Sequence, residues 1–288
     1  MKKYGFPYKG SKNKLAEKIV KLFPDAENFY DLFCGGCAIT HRALIENRWK
    51  NYVINDIDSR CPKLFLDAIN GKFKNEPRWI SREDFYNLKD DDGYVAFCWS
   101  FGNNGRDYLY ARDLEPYKKA WHYALFFSDY TEAKKLLNEK IEEIDKEKNF
   151  YKKYLLSKKY VKRNPRLPSL ESLESLERLE RLETSNLSYD EIEIKPNSII
   201  YCDIPYFNTN SYGKKSINTF DYEKFYDWCK KQTELCFISS YDMPEDFIPI
   251  AEFSNIGSLN CKKKATIEKV FIPKHQLELY KARLSACI

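Results

Sequence analysis

A chain of 288 residues, 43% hydrophobic, 16% aromatic and 32% charged, can bury a sizeable core as one large domain or two small ones. Its net charge of +5 permits a nucleic-acid partner without requiring one. No apolar run is long enough to cross a bilayer, the start at Met1 does not read as a secretory signal, and nine scattered cysteines, an odd number, fit reduced thiols in a cytoplasmic protein.

The first residues, Tyr4 to Lys12, place Gly10 and Ser11 in a tight turn before apolar residues at helical spacing, Leu15, Ile19, Val20, Leu22 and Phe23. Lys12 falls at this loop-to-helix junction, where a polar ligand meets backbone donors and an ammonium, although a solvated lysine at a helix start is the more common use of such a position. Residues 28–39 read as strand, glycine turn and helix. Gly35 and Gly36 let the backbone come close to a ligand, and a helix runs from Ala38 to Asn47. Cys34 and Cys37 have C-x-x-C spacing but no second pair, and read as small loop residues rather than a metal or redox site. Tyr52–Asp56 is a second strand ending in an acid, the place where ribose hydroxyls are held in dinucleotide folds. A glycine turn followed by that acid points to an adenosine-containing cofactor, and the absence of a G-x-x-x-x-G-K-[ST] loop argues against a nucleoside triphosphatase.

A helix is expected over Cys61–Asn70, after which the pattern loosens. Tyr94–Asp107 is an aromatic run leading into a polar glycine loop. Asn103, Asn104 and Arg106 carry side chains that read base edges, with Trp99 and Phe101 able to wedge or stack. A hairpin with its aromatics in a small core and Asn-Asn-Gly as its turn is an equal reading. Residues 111–163 look mostly helical. Lys152, Lys153, Lys158, Lys159, Lys162 and Arg163 form a basic stretch suited to phosphate contacts, or simply a solvated helix face. Leucines then recur every third residue from Leu167 to Leu182, a period that spirals around a helix instead of forming one face, as expected of a peripheral insert without a catalytic role.

Strand character returns at Glu191–Ile194 and Ser198–Cys202. Asp203 falls where the second of these ends, Pro205 stops the strand, and Tyr206 sets a ring beside the carboxylate. An acid, the Ile204 carbonyl and a stacking ring describe a pocket for the exocyclic amine of a nucleobase. A cap and an ordinary core tyrosine would explain the same residues equally well. Phe207–Phe220 reads as a polar loop, Tyr222–Gln232 as a helix, and Leu235–Ser239 and Lys269–Ile272 as strands. Strands alternating with helices at both ends imply one α/β sheet interrupted by an insert.

In this order the motifs resemble those of the DNA adenine methylase family of S-adenosylmethionine-dependent methyltransferases. Tyr8 to Lys12 looks like the family's aromatic-x-Gly-Gly-Lys motif, Asp31 to Cys37 like its F-x-G-x-G loop, Asp56 like its acid after the second strand, and Asp203 to Tyr206 like its catalytic Asp-Pro-Pro-Tyr. Ser11, Cys37 and Ile204 depart from those patterns. The resemblance implies a Rossmann-like, mostly parallel sheet with helices on both faces, formed by residues 1–84 and 191–288, and a largely helical target-recognition insert at 85–190 that includes the low-complexity stretch 167–183. It implies that Tyr8, Lys12, Asp31, Phe33, Gly35, Gly36, Asp56 and Asp203 bind S-adenosylmethionine, and that Asp203, Ile204, Pro205 and Tyr206 act on a flipped adenine at N6. Asn103, Asn104, Arg106, Lys158 and Lys159 would contact double-stranded DNA. It further implies a cytoplasmic monomer without a metal, and it allows a restriction endonuclease as companion. Other readings are a methyltransferase acting on RNA or a protein glutamine, and a DNA-binding module with a degenerate cofactor site.

Overall fold

The computed structural model describes residues 4–73, 77–137, 146–149, 152, 156, 173, 181–206, 220–255 and 266–285. In chain order its strands are β1 (Asn28–Asp31), β2 (Asn51–Asn55), β3 (Leu182–Ser185), β4 (Ser198–Cys202), β5 (Leu235–Ser240), β6 (Phe247–Asn255) and β7 (Thr266–Pro273). The helices are α1 (Ala16–Val20), α2 (Ala38–Glu46), α3 (Arg60–Ile69), α4 (Arg82–Leu88), α5 (Glu115–Phe127), α6 (Thr131–Leu137), α7 (Tyr222–Lys231) and α8 (Leu277–Ser285). The chain divides into two compact units, one formed within residues 1–74 and 170–288, the other within 75–169.

The first unit holds a seven-stranded sheet of order β3-β2-β1-β4-β5-β7-β6. β1 to β5 run parallel and β7 is antiparallel to both β5 and β6. Every residue of β1, β4 and β5 is buried, as a parallel strand covered on both faces requires, and this is why Ser198–Cys202 reads as an unbroken apolar run. Alternation sorts the side chains between the faces. Phe29, Tyr201 and Phe237 meet Phe23 on one face, where Tyr280 of α8 joins Phe237. Tyr30, Ile200, Cys202, Cys236 and Ile238 share the other face's core with Phe225 and Cys229 of α7.

Chain order reverses between β1 and β4. A sheet built this way opens its binding crevice at the carboxyl ends of those two strands. Three local devices shape that rim. Cys37 caps α2 in the left-handed region at φ 52, a conformation that glycine adopts more easily. Gly5, at φ +67, lies so close to the loop that an added Cβ would stand 2.0 Å from the Gly36 carbonyl oxygen. The Gly5 amide donates to His41 Nδ1 of α2 at 2.9 Å, and burial pushes that imidazole down to about 4, so it stays a neutral acceptor.

Two sequence expectations change. Glu191–Ile194 is not a strand: Tyr189–Glu191 is a 3-10 turn closed by Ser188 and Glu191, and Ile192 and Ile194 are apolar because they pack on the core. Leu182–Ser185, read as the end of the low-complexity insert, pairs in parallel with β2 as the sheet's edge strand. Residues 207–219 of the polar loop expected at 207–220, the basic residues Lys153, Lys158, Lys159, Lys162 and Arg163, and residues 167–172 and 174–180 of the leucine stretch lie outside the described residues.

The second unit is built of α4, a π-helical turn at Tyr94–Cys98, α5 and α6. Ser81 and Asp84 form a capping box on α4. Trp121, Ala120, Ala124, Tyr130 and Ala133 make a small core, and Trp79 stacks on Tyr110 while meeting Trp99 and His122 edge-on.

Candidate active site

The carboxyl-terminal rim carries two groups of acids. At the ends of β1 and β2, Asp31 is 1% exposed. Its Oδ2 accepts from the Thr40 hydroxyl at 2.6 Å, and its buried Oδ1 has no hydrogen-bond partner among the described residues. Burial raises this carboxyl to about 7, with Thr40 opposing the rise. Asp56 accepts one backbone N–H on each oxygen, from Gly35 at 2.8 Å and from Asp58 at 2.9 Å. Burial lifts it to about 6, and those two N–H groups hold it back. A carboxylate has about four lone-pair sites, so Asp56 retains acceptor capacity.

Between them the glycine loop is held by the Cys34 amide, which donates to the Asn55 carbonyl at 2.9 Å. A Cβ on Gly36 would fall 2.6 Å from Tyr8 Cβ, and one on Gly35 would fall 3.0 Å from the Tyr8 ring. The close approach these glycines permit is thus already used by Tyr8. Phe33 packs against Tyr189, Phe220 and Phe225. The buried thiols of Cys34 and Cys37 are both pushed up by burial. Among the described residues no cluster of His, Cys, Asp or Glu is arranged to hold a metal ion.

At the end of β4 the second group forms around Lys12. Its ammonium meets both oxygens of Asp203, at 2.6 and 2.7 Å, and Glu268 Oε1 at 3.2 Å. It also lies 4.8 Å from the centre of the Tyr206 ring. Asp203 is raised to about 6. Burial is the main cause, Lys12 pulls it down, and the Glu268 charge pushes it up. The Tyr206 hydroxyl donates to Glu268, and burial pushes that phenol well above its ordinary range. The Tyr206 and Tyr241 rings lie 4.4 Å apart, tilted by 55°. The turn between is anchored twice: Ile204 buries its side chain in the core cluster, and the Tyr222 hydroxyl donates to the Pro205 carbonyl at 2.9 Å. Core burial therefore steadies position 204, where a proline would otherwise supply stiffness.

Lys12, Asp31, Asp56 and Asp203 to Tyr206 all belong to the first unit, on the rim where the chain order reverses. Glu268 and Tyr241 join this group in the structure, and no sequence motif marks them. Glu268 shares one face of β7 with the buried Val270 and Ile272, so an acid in register with core positions was the signal that could have found it.

Asn103, Asn104 and Arg106 belong to the second unit. The Asn103 amide is buried and donates to the Phe97 carbonyl at 2.7 Å. Asn104 Oδ1 accepts from the amides of Arg106 and Asp107, and its Nδ2 donates to Asp107. Ser100 and Tyr108 bridge the loop's two arms, as a hairpin requires. Trp99 is buried, whereas Phe101 is 68% exposed and Arg106 is exposed beside it in the loop.

A seven-stranded α/β sheet with its acids and glycine loop on this rim fits a methyltransferase fold. The family model of the D12 class N6 adenine-specific DNA methyltransferases matches residues 8–241, and the chain belongs to that family. It is accordingly an enzyme that methylates adenine in DNA. No match is found among curated proteins.

Proposed function

We propose that the methyl donor is S-adenosylmethionine, that the acceptor is the exocyclic N6 of an adenine flipped out of double-stranded DNA, and that Asp203, Ile204, Pro205 and Tyr206 form the pocket receiving that base. The observation that carries this reading is the Asp203 carboxylate at the end of β4, beside the Tyr206 ring and 2.6 Å from the Lys12 ammonium. Family membership supports DNA as the substrate.

The residues on the other half of the rim fit the proposed donor. Asp31 is a buried acid with an unpartnered oxygen and no ion pair among the described residues, suited to a ligand that brings a positive charge. Asp56 is suited to hydroxyl donors of a ribose. Lys12, Tyr8, Phe33 and the loop at Gly35 and Gly36 complete the proposed binding residues. When bound, S-adenosylmethionine supplies an electrophilic methyl group.

The protein's part is positioning and charge. Asp203 and the Ile204 carbonyl accept the two amine hydrogens, which turns the nitrogen lone pair out of the ring's conjugation and toward the donor. Asp203 also opposes the positive charge that grows on the nitrogen as the bond forms, and it is placed to take the proton that nitrogen then loses. Tyr206 stacks on the base, a contact worth about 1–3 kcal/mol, against a flipping cost of a few kcal/mol.

For target recognition we propose residues 75–169. The geometry favours Arg106 as the base reader in the 100–108 loop, because the Asn103 and Asn104 amides are engaged in building that loop. Lys158 and Lys159 are proposed phosphate contacts. Transfer of labelled methyl to duplex DNA, to RNA and to protein, with the product identified, tests the reading. N6-methyladenine in DNA supports it, and label confined to RNA or glutamine rejects it.

A further inference from the structure

We propose that Glu268 is a positioning residue for methyl transfer: it keeps the Lys12–Asp203 pair from being electrically neutral and fixes the ring of Tyr206 through its hydroxyl. The inference rests on the reading that Asp203 receives the target amine.

Lys12 engages both oxygens of Asp203, and an ammonium held that way cancels most of the charge a developing cation would feel. Asp203 with Lys12 alone would be a polar group of no net charge. Glu268, only 3% exposed, brings a second carboxylate to the same ammonium at 3.2 Å, so one positive charge faces two negative ones. The excess negative charge lies beside the nitrogen that turns positive in the transition state, while the ground-state amine is neutral. An interaction of this kind favours the transition state over the bound substrate.

The second contact bears on geometry. Oε1 of Glu268, the oxygen that meets Lys12, also accepts the Tyr206 hydroxyl, which ties the stacking ring and the ammonium to one atom of the rigid strand β7. Glu268 therefore acts through Lys12, Asp203 and Tyr206 and need not touch the substrate.

Among the described residues, the charged and titratable groups around Asp203 are Lys12 from the segment before α1, Glu268 from β7, Tyr206 and Tyr201 on its own chain segment, and Asp31 and Asp56 from the neighbouring strand ends. Glu268 raises the Asp203 carboxyl and Lys12 lowers it. Removing the Glu268 charge must then move Asp203 to lower pH while weakening its effect on the nitrogen.

The test is single-turnover methyl transfer to duplex DNA as a function of pH, with S-adenosylmethionine and DNA affinities measured separately. Glu268→Gln keeps an acceptor for the Tyr206 hydroxyl and loses the charge, whereas Glu268→Asp keeps the charge and loses length. The expected result for Glu268→Gln is a rate about tenfold to a hundredfold lower, with both affinities within about twofold of wild type. Its acid limb is expected about one pH unit lower. Glu268→Asp is expected to be the faster of the two. A packing role would give the opposite order, since Gln fills the same space.

A Glu268→Gln enzyme with wild-type rate and an unmoved acid limb overturns the inference while leaving the amine-binding reading intact. A wild-type enzyme that transfers no methyl to DNA adenine overturns both. If Glu268→Gln does not fold, Glu268→Asp carries the test. A wild-type acid limb with a moderate loss of rate supports the inference, and a loss as complete as that of Asp203→Ala overturns it.

Discussion

The two halves of the rim solve the same electrostatic problem in different ways. At the ends of β1 and β2, Asp31 and Asp56 are held, among the described residues, by a hydroxyl and backbone N–H groups, and burial drives them to about 7 and about 6. At the end of β4, Asp203 and Glu268 share an ammonium. Asp203 still stands at about 6, level with Asp56, because burial and the Glu268 charge oppose the pull of Lys12, while Asp31, with one oxygen unpartnered among the described residues, rises highest. On our proposal the first half takes a positive charge from its ligand, whereas the second already holds the Lys12 ammonium between two acids.

The largest effect is expected from erasing that difference. Lys12→Met leaves Asp203 and Glu268 adjacent and unpaired, which should destabilise the fold by about 3–5 kcal/mol at pH 8. Without the ammonium, Asp203 rises further above its unfolded value. Stability tied to a raised carboxyl is full below its unfolded value and is lost as pH rises through the folded one. The loss should therefore shrink below pH 6, and urea unfolding of both proteins at the two pH values measures it.

On the other half, Asp31→Asn should have the opposite sign. The rise of Asp31 to about 7 corresponds to up to about 4 kcal/mol of destabilisation at pH 8, fading toward pH 4. The variant should unfold at higher temperature than wild type at pH 8 and near the wild-type temperature at pH 4. It should also bind S-adenosylmethionine more weakly. Wild-type binding should release protons near pH 7, as calorimetry in buffers of different ionisation enthalpy can show.

The smallest effect is expected at Asp56, where only hydrogen bonds are at stake. Asp56→Ala should weaken S-adenosylmethionine binding by about 1.5–3 kcal/mol, roughly tenfold to a hundredfold, with methyl transfer recovered at high donor concentration. An unchanged dissociation constant would remove Asp56 from the site.

The same contrast explains what was legible in the sequence. β1, β4 and β5 are buried runs and β2 a short, mostly apolar one, each bounded by turn residues, so they stand out, and the acids at three of their ends follow from the rule for α/β rims. β3 and β6 do not stand out. Leu182 to Ser185 has no alternation because it is an edge strand with one neighbour, and Pro249 interrupts β6 at a bulge, which only an edge strand tolerates. Glu268 stayed hidden for a different reason. Its partners Lys12, Asp203 and Tyr206 are far away in sequence, and only the antiparallel return of β7 beside β5 brings them together. The Asn103 and Asn104 amides read equally as base readers or as turn builders, and their hydrogen bonds within the loop are a tertiary fact no local pattern contains.

Asp203 is proposed to receive the amine that is methylated. The most direct measurement is single-turnover transfer of tritiated methyl from S-adenosylmethionine to duplex DNA by wild type and Asp203→Ala, with the labelled base identified. Wild type should place the label in N6-methyladenine, and Asp203→Ala should be slower by about a thousandfold while binding the donor and unfolding much as wild type does. An Asp203→Ala enzyme that methylates adenine at near the wild-type rate would exclude Asp203 from that role.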